Sequence, residues 1–435
     1  MGVETLAVAL VPLVETRSKS LMKTSTVHTE EVHILTSRRS FIVYILLLFI
    51  GINLRSVILA VPPVLPLIKH DLNLSYTATG LLTSMPILIM GATAWSSGLL
   101  VERIGGRNAV TWGLLLLAGG SLLRALWPGA FPLFLFTVLL SLGIALTQTT
   151  IPVLVRRWFP AHIGLATALF TDGLIIGETL GAGATLPLMA GFLGKAAWAA
   201  TFVFWGLPVV VLLVFWLWLA PTTSRQQAMS ASLPEPQTPP DKVITAPKTA
   251  TNVNTFHLGF LLGSGSLIYF AMNSWIASYN QAIQHANLTP LALTILNAAQ
   301  IPSSLVVTVF AQRMTGRRWP FILAGIVCIG AMLGWILTPG SLEYLWAALL
   351  GASSALVFTL ALALPALLAA PGKVARLTGA TLSLGYGTAF VGPFIGGGLW
   401  DLFNLPALAF LPVFLASILL IFLGTFLPVY GARAR

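Results

Sequence analysis

Residues 98–107, GLLVERIGGR, decide the fold, because they form a short charged turn between two apolar runs. Within ten residues the sequence passes from aliphatic side chains to Glu102 and Arg103, and then to a Gly-Gly-Arg turn. The apolar runs on either side, about 77–100 and 109–127, are each long enough to cross a membrane as a helix. The turn therefore joins two predicted transmembrane helices.

The composition of the whole chain extends this interpretation. Hydrophobic residues make up 57% of the 435 residues and charged residues only 8%, whereas a soluble domain carries about 25% charged residues. The 39 glycines and 27 prolines are spread through apolar runs, which membrane helices tolerate. We predict an all-α integral membrane protein with twelve transmembrane helices.

A polar stretch divides these helices into two sets of six. Residues 221–255 are rich in Pro, Thr, Ser and Gln, and such a segment cannot remain in hydrocarbon as irregular chain. It is predicted to be a flexible cytoplasmic linker. The predicted domains are a cytoplasmic tail (1–40), a first six-helix half (41–220), the linker (221–255) and a second six-helix half (256–435).

The two halves carry traces of a repeat. The turn from Glu102 to Arg107 is matched after the eighth predicted span (about 290–312) by QRMTGR, residues 312–317, at an offset of 210 residues. Spaced glycines recur in predicted spans 5 (about 162–190) and 11 (about 376–400) at an offset of 215 residues: Gly177, Gly181 and Gly183, then Gly392, Gly396 and Gly398. Two matches in corresponding spans favour six-helix pseudo-repeats with a central site at their interface.

The 23 Lys and Arg residues, which help to give a net charge of +11, are distributed unevenly. With twelve spans and a cytoplasmic N-terminus, Lys69, Arg124 and Lys195 lie on the outer side of the membrane, and Arg55 lies within span 1 (about 41–68). The other 19 fall in cytoplasmic segments. This bias predicts a multi-pass protein of the cytoplasmic membrane with both termini inside. Nucleic acid is not an expected partner, because no basic stretch is interleaved with aromatic residues.

The sequence contains no motif typical of catalysis or cofactor binding. The six histidines and the single Cys328 show no metal-ligand spacing. There is no nucleophile elbow, phosphate loop or metalloprotease helix. We therefore expect that the protein is not an enzyme and binds neither a cofactor nor a metal. Because a phosphate loop is absent from the sequence, we expect ion or solute gradients, and not ATP, to be the energy source.

Residues 98–107 resemble the loop between helices 2 and 3 of the major facilitator superfamily. A glycine, an acidic residue, an arginine and a Gly-Arg pair recur there, although this chain has Glu102 where that family usually has Asp. The resemblance implies the major facilitator fold and a gating loop formed by Gly98, Glu102, Arg103, Gly106 and Arg107. The alternative is that the two arginines only orient the chain in the membrane.

A narrower resemblance, to the cyanate and nitroimidazole transporters of that superfamily, rests on short motifs. They are Asn53-Leu54-Arg55 followed by Pro62 to Pro66, Arg156-Arg157-Trp158-Phe159-Pro160, Trp275, and Gly385-Tyr386 with Gly392-Pro393. The resemblance implies a secondary transporter for small, often anionic or weakly acidic solutes that works by alternating access.

Arg55 is the main candidate for binding a solute. It lies about 15 residues into span 1, roughly 22 Å deep at helical rise, and a buried charge there indicates function by default. It could bind an anion through its planar fork of donors or form a structural ion pair. Glu178 in span 5 has a similar depth, about 24 Å, and Asp172 lies at about 15 Å. The two acids face different directions, so we expect at most one to face Arg55 and either to be a candidate for carrying protons.

Other polar residues in the middle of spans are further candidates for solute binding: Asn53, Gln148, Asn273, Trp275, Asn297, Gln300 and Tyr386. Each is as readily explained by a hydrogen bond to a neighbouring helix. Three functions stay open: a carrier of a small anion or weak acid such as cyanate, a proton-coupled exporter of neutral or cationic drug-like compounds, and a receptor or channel that does not transport. The expected partners are a small-molecule substrate, the lipid bilayer and protons, and a monomer is expected.

Overall fold

The structure, a computed structural model, describes residues 41–127, 129–159, 163–189, 198–221, 254–368 and 374–427. The predicted tail and almost all of the predicted linker lie outside these residues. The chain forms two compact units, Met1–Leu46 and Leu47–Arg435. Of the first unit only the helical residues 41–46 are described. The helix contacts and the candidate site belong to the second unit.

The described residues form twelve long helices, numbered α1 to α12. In the first half α1 is Phe41–Asp71, α2 Tyr76–Ile104, α3 Gly106–Leu126, α4 Ala130–Trp158, α5 Ile163–Leu188 and α6 Trp198–Leu219. In the second half α7 is Thr255–Ala282, α8 joins Thr289–Ala298 to Gln300–Met314, α9 is Trp319–Leu337, α10 Glu343–Leu368, α11 Val374–Phe403 and α12 Leu411–Thr425. Ten of these helical regions are long and apolar enough to cross a membrane, and α2 and α11 have 29 and 30 residues. The predicted all-α fold is confirmed.

Proline residues lie next to two interruptions of the helices. The turn at Ala60 interrupts α1 immediately before Pro62 and Pro63. A proline has no N–H to donate and its ring clashes with the preceding turn, so a regular helix cannot continue through this pair. The last predicted span, 404–428, begins with the 3-10 turn Pro406–Phe410 before α12.

One contact is repeated in the two halves and supports their duplication. Arg107, at the start of α3, donates from Nη2 to the carbonyl oxygen of Leu217 near the end of α6, at 2.8 Å. Arg318, at the start of α9, donates from Nε to the carbonyl oxygen of Leu427 after α12, at 2.6 Å. The last carbonyls of a helix have no partner within the helix. In both halves an arginine of the third helix therefore satisfies a carbonyl at the end of the sixth.

Arg124, in the last turn of α3, turns its side chain into the bundle. Its side chain is 1% exposed and donates to the carbonyl oxygen of Val57 at 3.1 Å. Its guanidinium lies 3.8 Å from the centre of the Phe202 ring. A long arginine side chain near a helix end can turn inward, where a backbone carbonyl and a cation–π contact replace water.

The two halves are in direct contact at the end of the bundle where α2 begins and α11 ends, here called the closed end. Gly80 lies against the carbonyl oxygen of Pro393, and Gly397 lies against that of Tyr76. A Cβ atom at either glycine would overlap the opposite backbone. Small residues permit this approach of two helices, so α2 and α11 form a tight junction between the halves.

Candidate functional site

The candidate site begins with the crossing of α1 and α5. Gly173 and Gly177 of α5 lie against the carbonyl oxygens of Leu48 and Ile52 of α1, and a Cβ atom at either glycine would overlap those oxygens. The two backbones are therefore in direct contact along one face. Because Arg55 follows Ile52 by three residues and Glu178 follows Gly177 by one, the crossing brings their side chains together.

Arg55 and Glu178 form a buried ion pair. Arg55 Nε lies 3.4 Å from Glu178 Oε1, and each side chain is 7% exposed. Gln300 of α8 donates from Nε2 to Glu178 Oε2 at 2.9 Å. Among the described residues, Nε and Nη1 of Arg55 have no hydrogen-bond acceptor. The glutamate therefore neutralises the charge of Arg55 and leaves two of its donor nitrogens without an acceptor.

Arg55 and Glu178 lie beside a cavity of about 60 Å³ at the interface of the two halves. Arg55 and Glu178 line it from the first half, and residues of α7, α8, α10 and α11 line it from the second. The polar groups in the second-half wall belong to Ser266, Tyr269, Gln300, Ser354 and Tyr386. The Phe270 ring centre lies 5.9 Å from the Arg55 guanidinium carbon. A buried cation, hydroxyl groups and an aromatic ring make the cavity suited to a small polar or anionic solute.

A chain of side-chain hydrogen bonds holds the second-half wall in place. The Tyr269 hydroxyl donates to Asn297 Oδ1 at 2.5 Å, and Asn297 Nδ2 donates to Asn273 Oδ1 at 2.9 Å. Asn273 Nδ2 in turn donates to the carbonyl oxygen of Tyr269 at 3.1 Å. The predicted candidates Asn273 and Asn297 thus link α7 to α8 behind the cavity and orient Tyr269, and do not line it themselves.

Gln148 and Tyr386 connect the halves beside the cavity. Gln148 Nε2 of α4 lies 3.4 Å from the Tyr386 hydroxyl of α11. Tyr386 lines the cavity, and Gln148 does not. The buried Oε1 of Gln148 has no donor among the described residues. This amide is therefore free to accept a hydrogen bond from another group.

Two further predicted residues lie away from the cavity. Asn53 is buried and donates to the carbonyl oxygen of Phe49 in its own helix at 2.9 Å. Asp172 is exposed on α5 and does not line the cavity. Of the two acids on α5, only Glu178 lies beside Arg55, which agrees with the expectation that they face different directions.

Trp275 lies in an aromatic cluster near the closed end and does not line the cavity. Its ring centre is 6.3 Å from that of Tyr76 and 5.7 Å from that of Trp400. The side chain is 0% exposed. In this conformation Trp275 fills the junction between the halves.

The predicted gating loop is described only in part. Gly98 and Glu102 are described only as helical backbone of α2. Arg103 is exposed in the last turn of α2, Gly106 begins α3, and Arg107 makes the carbonyl contact with α6. The contact of Arg107 is structural, and the gating role of the loop stays a prediction.

Seven residues of the cavity wall were missed by sequence reasoning: Gly265, Ser266, Tyr269, Phe270, Ser354, Ala355 and Phe358. Serine, tyrosine and phenylalanine are common in membrane helices, so their type alone gives no signal. Tyr269 precedes Asn273 by one helical turn, and this spacing places both on one face of α7. This spacing from a predicted candidate is the feature of the sequence that could have identified Tyr269.

A membrane-embedded bundle of twelve helices, whose halves meet around a buried charged cavity, is the architecture of a secondary transporter. Comparisons with known proteins agree. The sequence model of the Major Facilitator Superfamily matches residues 41–393, so the chain belongs to this family of transporters, which are not enzymes.

Two relatives whose names state what they transport indicate a group within the superfamily. The chain is 28% identical to the cyanate transport protein CynX of Escherichia coli (strain K12), over 74% of this chain and 79% of the relative. It is 26% identical to the 2-nitroimidazole transporter of the same organism, over 82% of this chain and 87% of the relative. The chain is therefore related to the cyanate and nitroimidazole transporters within the superfamily.

Solved structures show the same fold. The D-xylose-proton symporter superposes with a TM-score of 0.70 at 12% identity, over 91% of this chain and 99% of that chain. A bacterial homologue of the human lysosomal transporter Spinster, in an inward-facing unoccupied conformation, superposes with a TM-score of 0.67 at 14% identity, over 90% and 95%. At these identities the likeness concerns the fold alone.

Proposed function

We propose that the protein moves a small anion or weak acid across the cytoplasmic membrane by alternating access, with Arg55 as the main contact for the solute. The observation that carries this proposal is the buried guanidinium of Arg55: the residue lines a small cavity, and its Nε and Nη1 have no acceptor among the described residues. A buried donor without a partner costs free energy. An anion that accepts from both nitrogens removes this cost and gains charge-assisted hydrogen bonds.

The size of the cavity favours a small solute over a drug-like one. Pockets for drug-sized ligands enclose about 300–1,000 Å³, whereas this cavity encloses about 60 Å³. Cyanate, the compound in the name of one relative, is a linear anion of three atoms. The small volume of the cavity therefore disfavours the alternative function, an exporter of larger neutral or cationic compounds.

Glu178 is proposed to couple the solute to protons. An arriving anion competes with the Glu178 carboxylate for the same guanidinium. A proton on Glu178 removes that competition and also the repulsion between the carboxylate and the anion. Solute and proton then bind together, and the pair re-forms when both have left.

The proposed orientation follows from the basic residues. Arg103, Arg156 and Arg157 lie near the end of the bundle opposite the closed end. The positive-inside rule places that end in the cytoplasm together with both chain termini. The closed end then faces outward, and the described conformation has its outward side shut.

The solute class is tested by thermal stabilisation of the purified protein. We expect sodium cyanate and 2-nitroimidazole to raise the melting temperature by about 3 °C or more at saturation, because a ligand that binds only the folded state stabilises it. Tetraphenylphosphonium, a bulky cation, should leave it unchanged. Stabilisation by the cation alone would contradict the proposal. Uptake of labelled cyanate into proteoliposomes then separates a transporter from a receptor, which binds without moving the solute.

The coupling role is tested with Glu178→Gln in proteoliposomes. We expect uptake of labelled cyanate against its gradient, driven by a pH difference, to fall at least about tenfold, since glutamine cannot exchange a proton. Exchange of cyanate between equal concentrations should continue, because Arg55 is still present. Asp172→Asn is measured in parallel. Loss of driven uptake in Asp172→Asn with retention in Glu178→Gln would assign the proton to Asp172 instead.

A further inference from the structure

Asp401, near the end of α11, contacts the first turn of α2 in the other half. Its Oδ1 accepts from the backbone N–H of Tyr76 at 2.8 Å, and its Oδ2 accepts from the backbone N–H of Thr77 at 2.7 Å. The Thr77 hydroxyl also donates to Oδ2 at 2.5 Å. One carboxylate of the second half therefore receives three hydrogen bonds from the first.

These bonds complete the cap of α2. The first N–H groups of a helix have no acceptor within the helix and are normally satisfied by a preceding side chain. In α2 the preceding Ser75 accepts only from the N–H of Ala78. The N–H groups of Tyr76 and Thr77 depend on Asp401, whose negative charge also suits the positive end of the helix dipole. The cap of α2 is thus divided between the two halves of the protein.

Aromatic contacts surround the same point. The Tyr76 ring stacks on the Trp400 ring, with centres 3.9 Å apart and planes 10° apart. Lys69 Nζ lies 4.0 Å from the centre of the Tyr76 ring. These contacts add to the area that is buried when the halves meet. They are less directional than the hydrogen bonds of Asp401, which are lost as soon as the helix ends separate.

We propose that Asp401 is the latch of the closed end, a residue that sets the balance between the two access states by capping α2 across the interface. Opening of this end moves the start of α2 away from the end of α11, and the carboxylate must then release all three donors. The latch acts on the transport cycle whichever solute moves, and it lies outside the cavity of Arg55 and Glu178. It stabilises the state in which the closed end is shut.

The latch is tested by distance measurements between spin labels on the full-length protein. Labels at His70→Cys and Leu405→Cys, two exposed positions at the closed end of opposite halves, report its opening in a Cys328→Ala background. We expect Asp401→Asn, which keeps the shape but loses the charge, to increase the share of the longer distance about tenfold. Charge-assisted hydrogen bonds to a carboxylate are large enough for such a shift. Thr77→Ala, which removes one of the three donors, should move the distribution in the same direction by a smaller amount.

Asp71→Asn is the matched control, because Asp71 is an acid at the same end whose partner, Trp198 Nε1 at 3.0 Å, belongs to its own half. This variant should keep the wild-type distance distribution. A wild-type distribution in both Asp401→Asn and Thr77→Ala would overturn the proposal. A lower melting temperature of Asp401→Asn without a longer distance would also overturn it, since that result indicates a packing role only.

Discussion

Arg55→Gln is expected to abolish binding and transport of small anions, with a fall in the rate of cyanate uptake of at least about 100-fold. Each hydrogen bond to a charged group contributes about 1.5–3 kcal/mol, and glutamine loses both the charge and the planar fork. In this variant the buried Glu178 carboxylate also loses its positively charged partner, and its negative charge repels an arriving anion. Uptake into proteoliposomes and anion-induced thermal stabilisation measure the two effects separately.

Two companion variants separate a binding role of Arg55 from a structural one. Arg55→Lys keeps the charge but not the bidentate geometry, so we expect a loss of about tenfold. The double variant Arg55→Gln/Glu178→Gln removes both members of the pair, which is often nearly neutral for stability. It should fold well and still fail to bind anions. Recovery of transport in the double variant would show that the arginine serves mainly to balance Glu178.

Gly177→Val is expected to cause the largest loss of stability, with a fall in melting temperature of about 10 °C or more. The added side chain would overlap the carbonyl oxygen of Ile52. Overpacking against side chains costs about 1–3 kcal/mol, and here the obstacle is backbone that cannot adopt another rotamer. Separation of α1 from α5 would also move Glu178 away from Arg55, so any folded fraction should bind anions weakly. Thermal melting in detergent measures the first effect.

Gly119→Val in α3 is the matched control for this prediction. A Cβ atom at Gly119 meets no atom within 4 Å, and valine in place of glycine relieves the backbone entropy cost of glycine in a helix. We expect a melting temperature within about 2 °C of the wild type. A similar value for Gly177→Val would mean that α1 and α5 can separate without cost, and that the glycine contacts do not position the ion pair.

The helices could be predicted because a membrane limits what a chain can do within it. Each apolar run must be long enough to span and must satisfy its own backbone, so run lengths alone indicate twelve helices. The repeat of residues 102–107 at 312–317 also corresponds to a repeated contact, since Arg107 at the end of the first copy and Arg318 directly after the second each donate to a carbonyl at the end of the sixth helix of their half. The burial of Arg124 could not be predicted, because position near a helix end does not reveal whether a side chain turns inward.

Part of the site could be predicted from depth. The rise per residue is constant in a helix, so counting residues put Arg55 and Glu178 at the same level, and the structure pairs them. Counting does not reveal which helices adjoin or how each is rotated. For that reason Trp275 and Asn53 were as good candidates as Gln300 and Tyr386, although only the last two line the cavity.

The capping role of Asp401 could not be predicted from the sequence. An acid at the end of an apolar run is the ordinary pattern of a residue at the membrane surface. Its partners, Tyr76 and Thr77, precede it by more than 320 residues. Only the packing of α2 on α11 brings a carboxylate to the first two N–H groups of α2, which Ser75 does not satisfy.

The neutral ion pair also has an electrical consequence. Moving one unit charge through 100 mV of membrane potential changes its energy by about 2.3 kcal/mol. With Arg55 and Glu178 paired, the empty carrier bears no net charge at its centre, so its reorientation does no work against the voltage. Under the proposed coupling, a monovalent anion on Arg55 and a proton on Glu178 again sum to zero. The cycle is then electroneutral, and the resting voltage of the cell neither accelerates nor retards it.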